Sequence, residues 1–185
     1  SALNHSLQTE AEVSGRTAEA LKIGIGLNSG TALAGNLGSE QRFDYSILGD
    51  SVNLASRLEG QSKVYGVDIL VSEATTTEAP DLAFLELDLV QVVGKRKPVR
   101  IYTLMGDGSF AQTDVFAQVQ ILQLKMLEAY RGHEWGRALE SITQMEQLGL
   151  IPLQGYLLMM RERICQFQVD PPGPDWDGVE RRLVK

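Results

Sequence analysis

Two polar side chains that could act on an anionic ligand stand four residues apart in the stretch 50–59. They are Asn53 and Arg57, and residues at this spacing are neighbours on one face of a helix. A guanidinium is permanently charged and carries several donors, which suits it to phosphate. The apolar residues of the same stretch fall on the opposite side of the predicted helix: Val52, Leu54, Ala55 and Leu58. Spacing alone favours a simpler explanation, the solvated face of an amphipathic helix.

The elements that must position this pair are a strand, a tight turn and the helix itself. Alternation over 43–48 predicts a strand, and Gly49 is expected to end it. Asp50 is predicted to cap the helix by accepting a hydrogen bond from a free backbone N–H group of its first turn. An earlier predicted strand, 22–28, places Gly24 and Gly26 on one face, where another element must approach closely.

The longer motif around the pair resembles the signature of class III nucleotidyl cyclases. It reads Tyr45-Ser-Ile-Leu-Gly-Asp-Ser-Val-Asn-Leu-Ala-Ser-Arg-Leu58. Two earlier motifs resemble the same family, in the same order: Lys22-Ile-Gly-Ile-Gly-Leu-Asn-Ser-Gly30 and Ala34-Gly-Asn-Leu-Gly38. The resemblance runs over residues 21–104 and combines several spaced motifs, so it outweighs the explanation by a solvated face.

This resemblance implies a reaction in which the ribose 3′-oxygen of a nucleoside triphosphate attacks the α-phosphorus in line. The products would be a 3′,5′-cyclic monophosphate and pyrophosphate, made for intracellular signalling, with ATP as the favoured substrate and a bacterial adenylate cyclase as the parent enzyme. As in other phosphoryl transfers, catalysis would consist mainly of positioning and neutralising charge. Family sites form between two cyclase domains, so a homodimer is the expected partner arrangement.

The same resemblance assigns roles to individual residues. Asn53 would orient the ribose, and Arg57 would stabilise charge on the α-phosphate in the transition state. Ser46 stands where many adenylate cyclases carry an aspartate that reads adenine, and Leu48 would help to line the purine pocket. The serine weakens the base preference, so a guanylate cyclase stays open as an alternative.

Two departures from the family pattern affect the implied chemistry. Val93 replaces a lysine that usually binds the triphosphate, and Lys95 in the basic turn 94–98 could substitute for it. A solvated loop is the other explanation of that turn. In the family, two Mg²⁺ or Mn²⁺ ions bind to aspartates that precede the region covered by the resemblance. No metal ligand is therefore assigned in this chain. The chain alone is therefore expected to be inactive, and a non-catalytic dimerisation or nucleotide-binding module is the alternative from another class.

The remaining sequence predicts an α+β fold in two parts. Residues 1–108 resemble the C-terminal part of a ferredoxin-like cyclase domain with an antiparallel sheet, opened by a helix at 3–13. In the predicted strand at 85–90, leucines should face the core, with Glu86 and Asp88 facing solvent. Residues 109–170 form a helical appendage with helices at 114–131, 134–148 and 153–168, the first two resembling a tetratricopeptide hairpin. Residues 171–185 are an extended tail.

Composition excludes several classes of protein. The formal net charge of -7 argues against a general nucleic-acid binder. The single cysteine, Cys165, excludes an intrachain disulfide and fits a reducing compartment; its apolar neighbours predict a buried thiol. No run of about 18 apolar residues is present, so no membrane span or direct membrane contact is expected. The predicted location is cytoplasmic, with a parent protein that could be membrane-anchored through an upstream sensor.

Overall fold

The computed structural model describes residues 23–39, 42–91 and 97–181. The strands are β1 (Ile25–Leu27), β2 (Leu33–Ser39), β3 (Arg42–Leu48), β4 (Ile69–Ser72), β5 (Ala83–Val90) and β6 (Val99–Gly106). The helices are α1 (Asp50–Tyr65), α2 (Glu73–Glu78), α3 (Gly108–Ala111), α4 (Asp114–Arg131), α5 (Trp135–Gln147) and α6 (Gln154–Val169), with a 3₁₀ turn at Ile151–Leu153. The predicted helix at 3–13 lies outside the described residues.

A four-stranded sheet in the order β1-β4-β6-β5 organises the first half of the chain. β1 and β4 run parallel, whereas β6 is antiparallel to both of its neighbours. β2 and β3 form a separate antiparallel hairpin in which Leu33 pairs with Leu48. The predicted α+β class is confirmed, with helices packed against a largely antiparallel sheet.

Helix α1 packs directly on the glycine face of β1. A Cβ atom added to Gly26 would lie 2.1 Å from the carbonyl oxygen of Ala55 and 2.3 Å from the backbone nitrogen of Glu59. A Cβ atom on Gly24 would lie 2.2 Å from Oγ of Ser62. The prediction that another element approaches these glycines closely is therefore confirmed, and that element is the helix carrying Asn53 and Arg57.

The start of α1 differs from the prediction. Gly49 ends the strand as expected, but Gly49 is itself the N-cap residue and no side chain caps the helix. Asp50 is already the first helical residue, so its prediction as the cap was wrong. Its carboxylate belongs to the first turn, where the positive end of the helix dipole favours an acidic group. The helix ends at Gly66, which adopts the left-handed conformation.

Strand β5 contains an irregularity that the alternation did not predict. Its register with β6 shifts between Glu86 and Asp88, so one extra residue is inserted at that point. Leu87 and Asp88 are consequently both fully buried, although they are consecutive. The prediction that Asp88 faces solvent was wrong because a bulge changes which face the following side chain occupies.

The helices after Gly106 match their predicted positions and share their core with the sheet. α4, α5 and α6 lie within one residue of the predicted bounds. One apolar cluster contains side chains of α1, the sheet and these helices, among them Leu58, Leu87, Ile101, Met126 and Ile164. The division at residue 108 and the tetratricopeptide-like character of the helices stay predictions.

The tail after α6 folds back on the sheet. Val90 and Glu180 form a parallel bridge in which the backbone N–H of Glu180 donates to the carbonyl of Leu89 over 2.9 Å. Trp176 packs edge-on against the ring of Tyr130. Cys165, predicted to be buried, is exposed because it lies beside buried Ile164 on the outward face of α6.

Candidate active site

The predicted catalytic pair lies on the outward face of α1. Asn53 and Arg57 are both exposed, whereas Leu54 and Leu58 are buried against the sheet. The amphipathic helix predicted from spacing is therefore present, with its amide and guanidinium directed away from their own core. The catalytic roles of the two residues stay predictions.

The proposed purine-contacting residues come from the strand that leads into α1. Ser46 is half-buried and pairs with Gly35 on β2, and Leu48 is the last residue of β3 with 51% of its surface exposed. A Cβ atom at Gly35 would meet nothing within 4 Å, so space is open beside Ser46 on this hairpin. Ser46, Leu48 and the pair on α1 thus lie on two consecutive elements joined by Gly49.

The first and third motifs of the family resemblance meet at the N-terminus of α1. Nδ2 of Asn28, after β1, donates to the carbonyl of Ser51 over 2.9 Å. Oγ of Ser51 donates to the carbonyl of Thr31 over 2.9 Å. A Cβ atom at Gly30 would lie 2.4 Å from the same Oγ. These contacts fix the first turn of α1 against the turn between β1 and β2.

The structure does not describe the predicted phosphate contact in the basic turn, and it assigns no metal ligands. Val93 and Lys95 lie outside the described residues, so the phosphate contact of Lys95 stays a prediction. Within 23–39, 42–91 and 97–181, no three His, Cys, Asp or Glu side chains are grouped so that they could hold a metal ion. No chemical step is assigned to a metal ion.

Comparison with known proteins identifies the family. The family model described as the adenylate and guanylate cyclase catalytic domain matches residues 2–106, more than half of the chain.

The chain belongs to the adenylate and guanylate cyclase catalytic domain family.

Relatives of known name support this membership of the cyclase family. Adenylate cyclase 1 of Rhizobium meliloti is 38% identical over 83 residues, covering 44% of this chain and 12% of the relative. The adenylate cyclase of Anabaena cylindrica is 38% identical over 86 residues, covering 44% of this chain and 17% of the relative. The chain thus spans less than a fifth of the length of these relatives.

A solved structure gives a third comparison. The crystal structure of the adenylyl cyclase CyaB from P. aeruginosa matches with 30% sequence identity and a TM-score of 0.45. The match covers 56% of this chain and 53% of that one.

In the described part of the present chain, no helix is long and apolar enough to cross a membrane.

A buried polar cluster behind α1 was not predicted. The hydroxyl of Tyr65 donates to Oδ2 of Asp88 over 2.8 Å, and Nη1 of Arg163 donates to the same oxygen over 2.6 Å. The backbone N–H of Leu89 donates to the other carboxylate oxygen over 2.8 Å. No local sequence signal links these residues, because their contact depends on the bulge in β5 and on how α6 docks.

Burial and charge act in opposite directions within this cluster. Burial raises the pKa of Asp88, while the Arg163 guanidinium and the hydrogen bonds to the carboxylate lower it and offset part of that rise. Burial and the nearby Asp88 carboxylate raise the pKa of Tyr65 well above its ordinary value. Burial disfavours the charged form of Arg163, but the attraction of Asp88 prevails and raises the pKa of Arg163. The guanidinium therefore stays charged, and the hydroxyl of Tyr65 stays protonated at neutral pH.

Proposed function

We propose that this chain is part of an adenylate cyclase that converts ATP to 3′,5′-cyclic AMP and pyrophosphate for signalling inside the cell. The observation that carries the proposal is the placement of Asn53 and Arg57, four residues apart and both exposed on one helix, within the region matched by the cyclase family model. Solvent exposure of this pair is what a nucleotide-binding surface requires.

The two side chains suit different parts of the reaction. The Asn53 amide can donate and accept hydrogen bonds, so it can hold the ribose with its 3′-oxygen in line with the α-phosphorus. The Arg57 guanidinium can donate several hydrogen bonds to the α-phosphate as negative charge develops there. Lys95 would contribute a further cationic contact to the triphosphate.

Divalent metal ions are used throughout the cyclase family, and two Mg²⁺ or Mn²⁺ ions are proposed here. We propose that their ligands come from residues outside this chain, as the resemblance implies. The proposed roles of Asn53 and Arg57 depend only on their own hydrogen bonds and charge.

A second copy of the cyclase domain is the proposed partner. Asn53 and Arg57 point away from their own core, so a facing domain could supply the remaining substrate contacts. Large apolar side chains on the hairpin and on β1 are also exposed, which supports a protein-covered surface. These are Ile25, Leu27, Leu33, Tyr45, Ile47 and Leu48.

Product analysis tests the proposal. The protein that contains this chain is incubated with Mn²⁺ and either ATP or GTP, and cyclic nucleotides are separated and quantified. Cyclic AMP from ATP supports the proposal, and preferential formation of cyclic GMP would assign a guanylate cyclase instead. Nucleotide binding without a cyclic product would favour a non-catalytic module, consistent with Val93 in place of the usual lysine.

A further inference from the structure

A buried ion pair joins the C-terminal helices to the end of the helix that carries the catalytic pair. Asp88 is fully buried in β5, and the Arg163 side chain on α6 is only 13% exposed. Tyr65, the last residue of α1, donates to the same carboxylate oxygen as Arg163. The guanidinium also lies over the ring of Tyr65, 5.7 Å from its centroid. Arg163 thus contacts the end of α1 directly and through Asp88.

The start of α6 packs against the same end of α1. A Cβ atom on Gly66, the C-cap of α1, would lie 2.5 Å from the carbonyl carbon of Gly155. A Cβ atom on Gly155 would lie 2.4 Å from the carbonyl oxygen of Gly66. The two backbones are therefore in contact, and any side chain at either position would push α6 away from α1.

Helix α6 is itself anchored on the bulge of β5. The hydroxyl of Tyr156 donates to the carbonyl of Leu87 over 2.8 Å. Nε2 of Gln123, from α4, lies 2.6 Å from that hydroxyl and donates to the carbonyl of Glu86 over 2.7 Å. Side chains of α4 and α6 thus donate hydrogen bonds to two consecutive carbonyls of β5 at the bulge. Helix α6, which contacts the end of α1, is therefore itself held on the sheet by these hydrogen bonds.

The position of α1 sets the position of the catalytic pair. Arg57 and Tyr65 are eight residues apart on one continuous helix, a separation of about 12 Å along the axis. A helix moves as a stiff rod over this length, so a tilt at Tyr65 displaces the side chains nearer its start. Phosphoryl transfer depends on placement to within about 1 Å.

We propose that Arg163 is a positioning residue of the nucleotide site. It acts through Tyr65 and Asp88 to hold α1, and with it Asn53 and Arg57, in the orientation that the reaction needs. The C-terminal helices then contribute to catalysis, because one of them holds α1 in place. This inference rests on the proposed function, and the experiment below separates the two.

The test uses two variants of the cluster and a matched control, all made in the protein that contains this chain. Tyr65→Phe removes one hydroxyl, and Arg163→Met removes the buried charge. Arg161→Met is the control, because Arg161 lies on the same helix but pairs with Glu146 on α5 at the surface. Rates of cyclic nucleotide formation and amide hydrogen exchange of α1 are measured on the same samples.

We expect kcat of Tyr65→Phe to fall roughly 5–20-fold with KM changed less than about twofold, because a displaced Arg57 acts mainly on the transition state. Arg163→Met should lower kcat further, and Arg163→Lys should recover part of that loss. In both cluster variants, amides of α1 should exchange faster than in the wild type. The Arg161→Met control should match the wild type in kcat and in exchange.

Each arm of the test has a result that overturns the inference. If Tyr65→Phe unfolds at a lower temperature but keeps the kcat of the control, the cluster only stabilises the fold and Arg163 is not a positioning residue. If Arg163→Met does not fold, the inference is tested by kcat and amide exchange of Tyr65→Phe alone. If the wild type forms no cyclic nucleotide, the proposed function fails. Unchanged exchange across α1 in Tyr65→Phe would refute the coupling in either case.

Discussion

Nη1 of Arg163 lies 2.6 Å from Oδ2 of Asp88, although the two residues are 75 positions apart in the sequence. The contact joins the cyclase part of the chain to the helices that follow it. One apolar cluster also spans both parts, with side chains from Leu54 on α1 to Ile164 on α6, so α1, the sheet and the C-terminal helices share a core. Helix α1, which carries the proposed catalytic pair, is thus contacted on its buried side by residues outside the region that the family model matches.

Removing Asp88 should destabilise the protein strongly. Asp88→Ala leaves the Arg163 guanidinium and the Tyr65 hydroxyl buried without their acceptor, and breaking one side of a buried ion pair costs about 3–5 kcal/mol. Urea denaturation followed by circular dichroism gives the free energy of unfolding. Asp175→Ala is the control, since Asp175 is exposed on the tail and surface changes stay within about 0.5 kcal/mol. Equal values for the two variants would contradict the structural role of the pair.

Two glycines provide a second test, of how α1 packs on β1. In Gly26→Ala the new methyl group would collide with the backbone of α1 at Ala55 and Glu59, and overpacking of this kind typically costs 1–3 kcal/mol, so we expect a loss of about that size. Gly60→Ala is the matched control, because nothing lies within 4 Å of the added atom. It should stabilise the helix by about 0.5–1 kcal/mol. Thermal unfolding measures both, and a neutral Gly26→Ala would show that the helix is not seated on β1.

Alkaline pH should unfold the protein through its buried tyrosines. Burial raises the pKa of Tyr130 from 10.0 to about 12, and burial also raises the pKa values of Tyr65 and Tyr156. Between pH 10.0 and about 12, Tyr130 of the folded protein keeps a proton that the unfolded chain has lost. The folded state then binds more protons, so its stability falls as pH rises through this window.

Absorbance of the phenolate form and near-ultraviolet circular dichroism can follow this transition together. We expect ionisation of the buried tyrosines to coincide with loss of the dichroism signal. If Tyr65, Tyr130 and Tyr156 ionised near pH 10 while the dichroism persisted, the burial of these side chains would be contradicted.

The parts of the fold that depend on local patterns could be predicted from the sequence. Helix α4 begins and ends at the predicted residues, and the glycines of β1 correctly indicated a close neighbour. The cap of α1 was wrong because Gly49 takes the cap position and Asp50 is already helical. Asp88 was misplaced because one inserted residue in β5 changes the face of the strand. Arg163 carries no signal of its role, since its partner is distant in sequence and the docking of α6 decides the contact.

The 185-residue chain alone should form no cyclic nucleotide and should self-associate. The lack of turnover follows from the proposal that the metal ligands lie outside this chain, and exposed apolar residues of β1 and the hairpin favour pairing with another copy. Light scattering measures the mass, and product analysis with Mn²⁺ and ATP measures turnover. A monomer at a protein concentration of tens of micromolar would contradict the association. Reproducible turnover by this chain would contradict the expected lack of activity.

The most direct test of the central claim is the rate of cyclic AMP formation by the Arg57→Ala variant of the protein that contains this chain. We expect kcat to fall by an amount equivalent to roughly 2–4 kcal/mol, with KM for ATP little changed, because the guanidinium acts on charge that develops in the transition state. Arg137→Ala, at an exposed arginine of α5, is the control and should keep the wild-type rate. A near wild-type kcat for Arg57→Ala would contradict the assignment of this helix as the catalytic element.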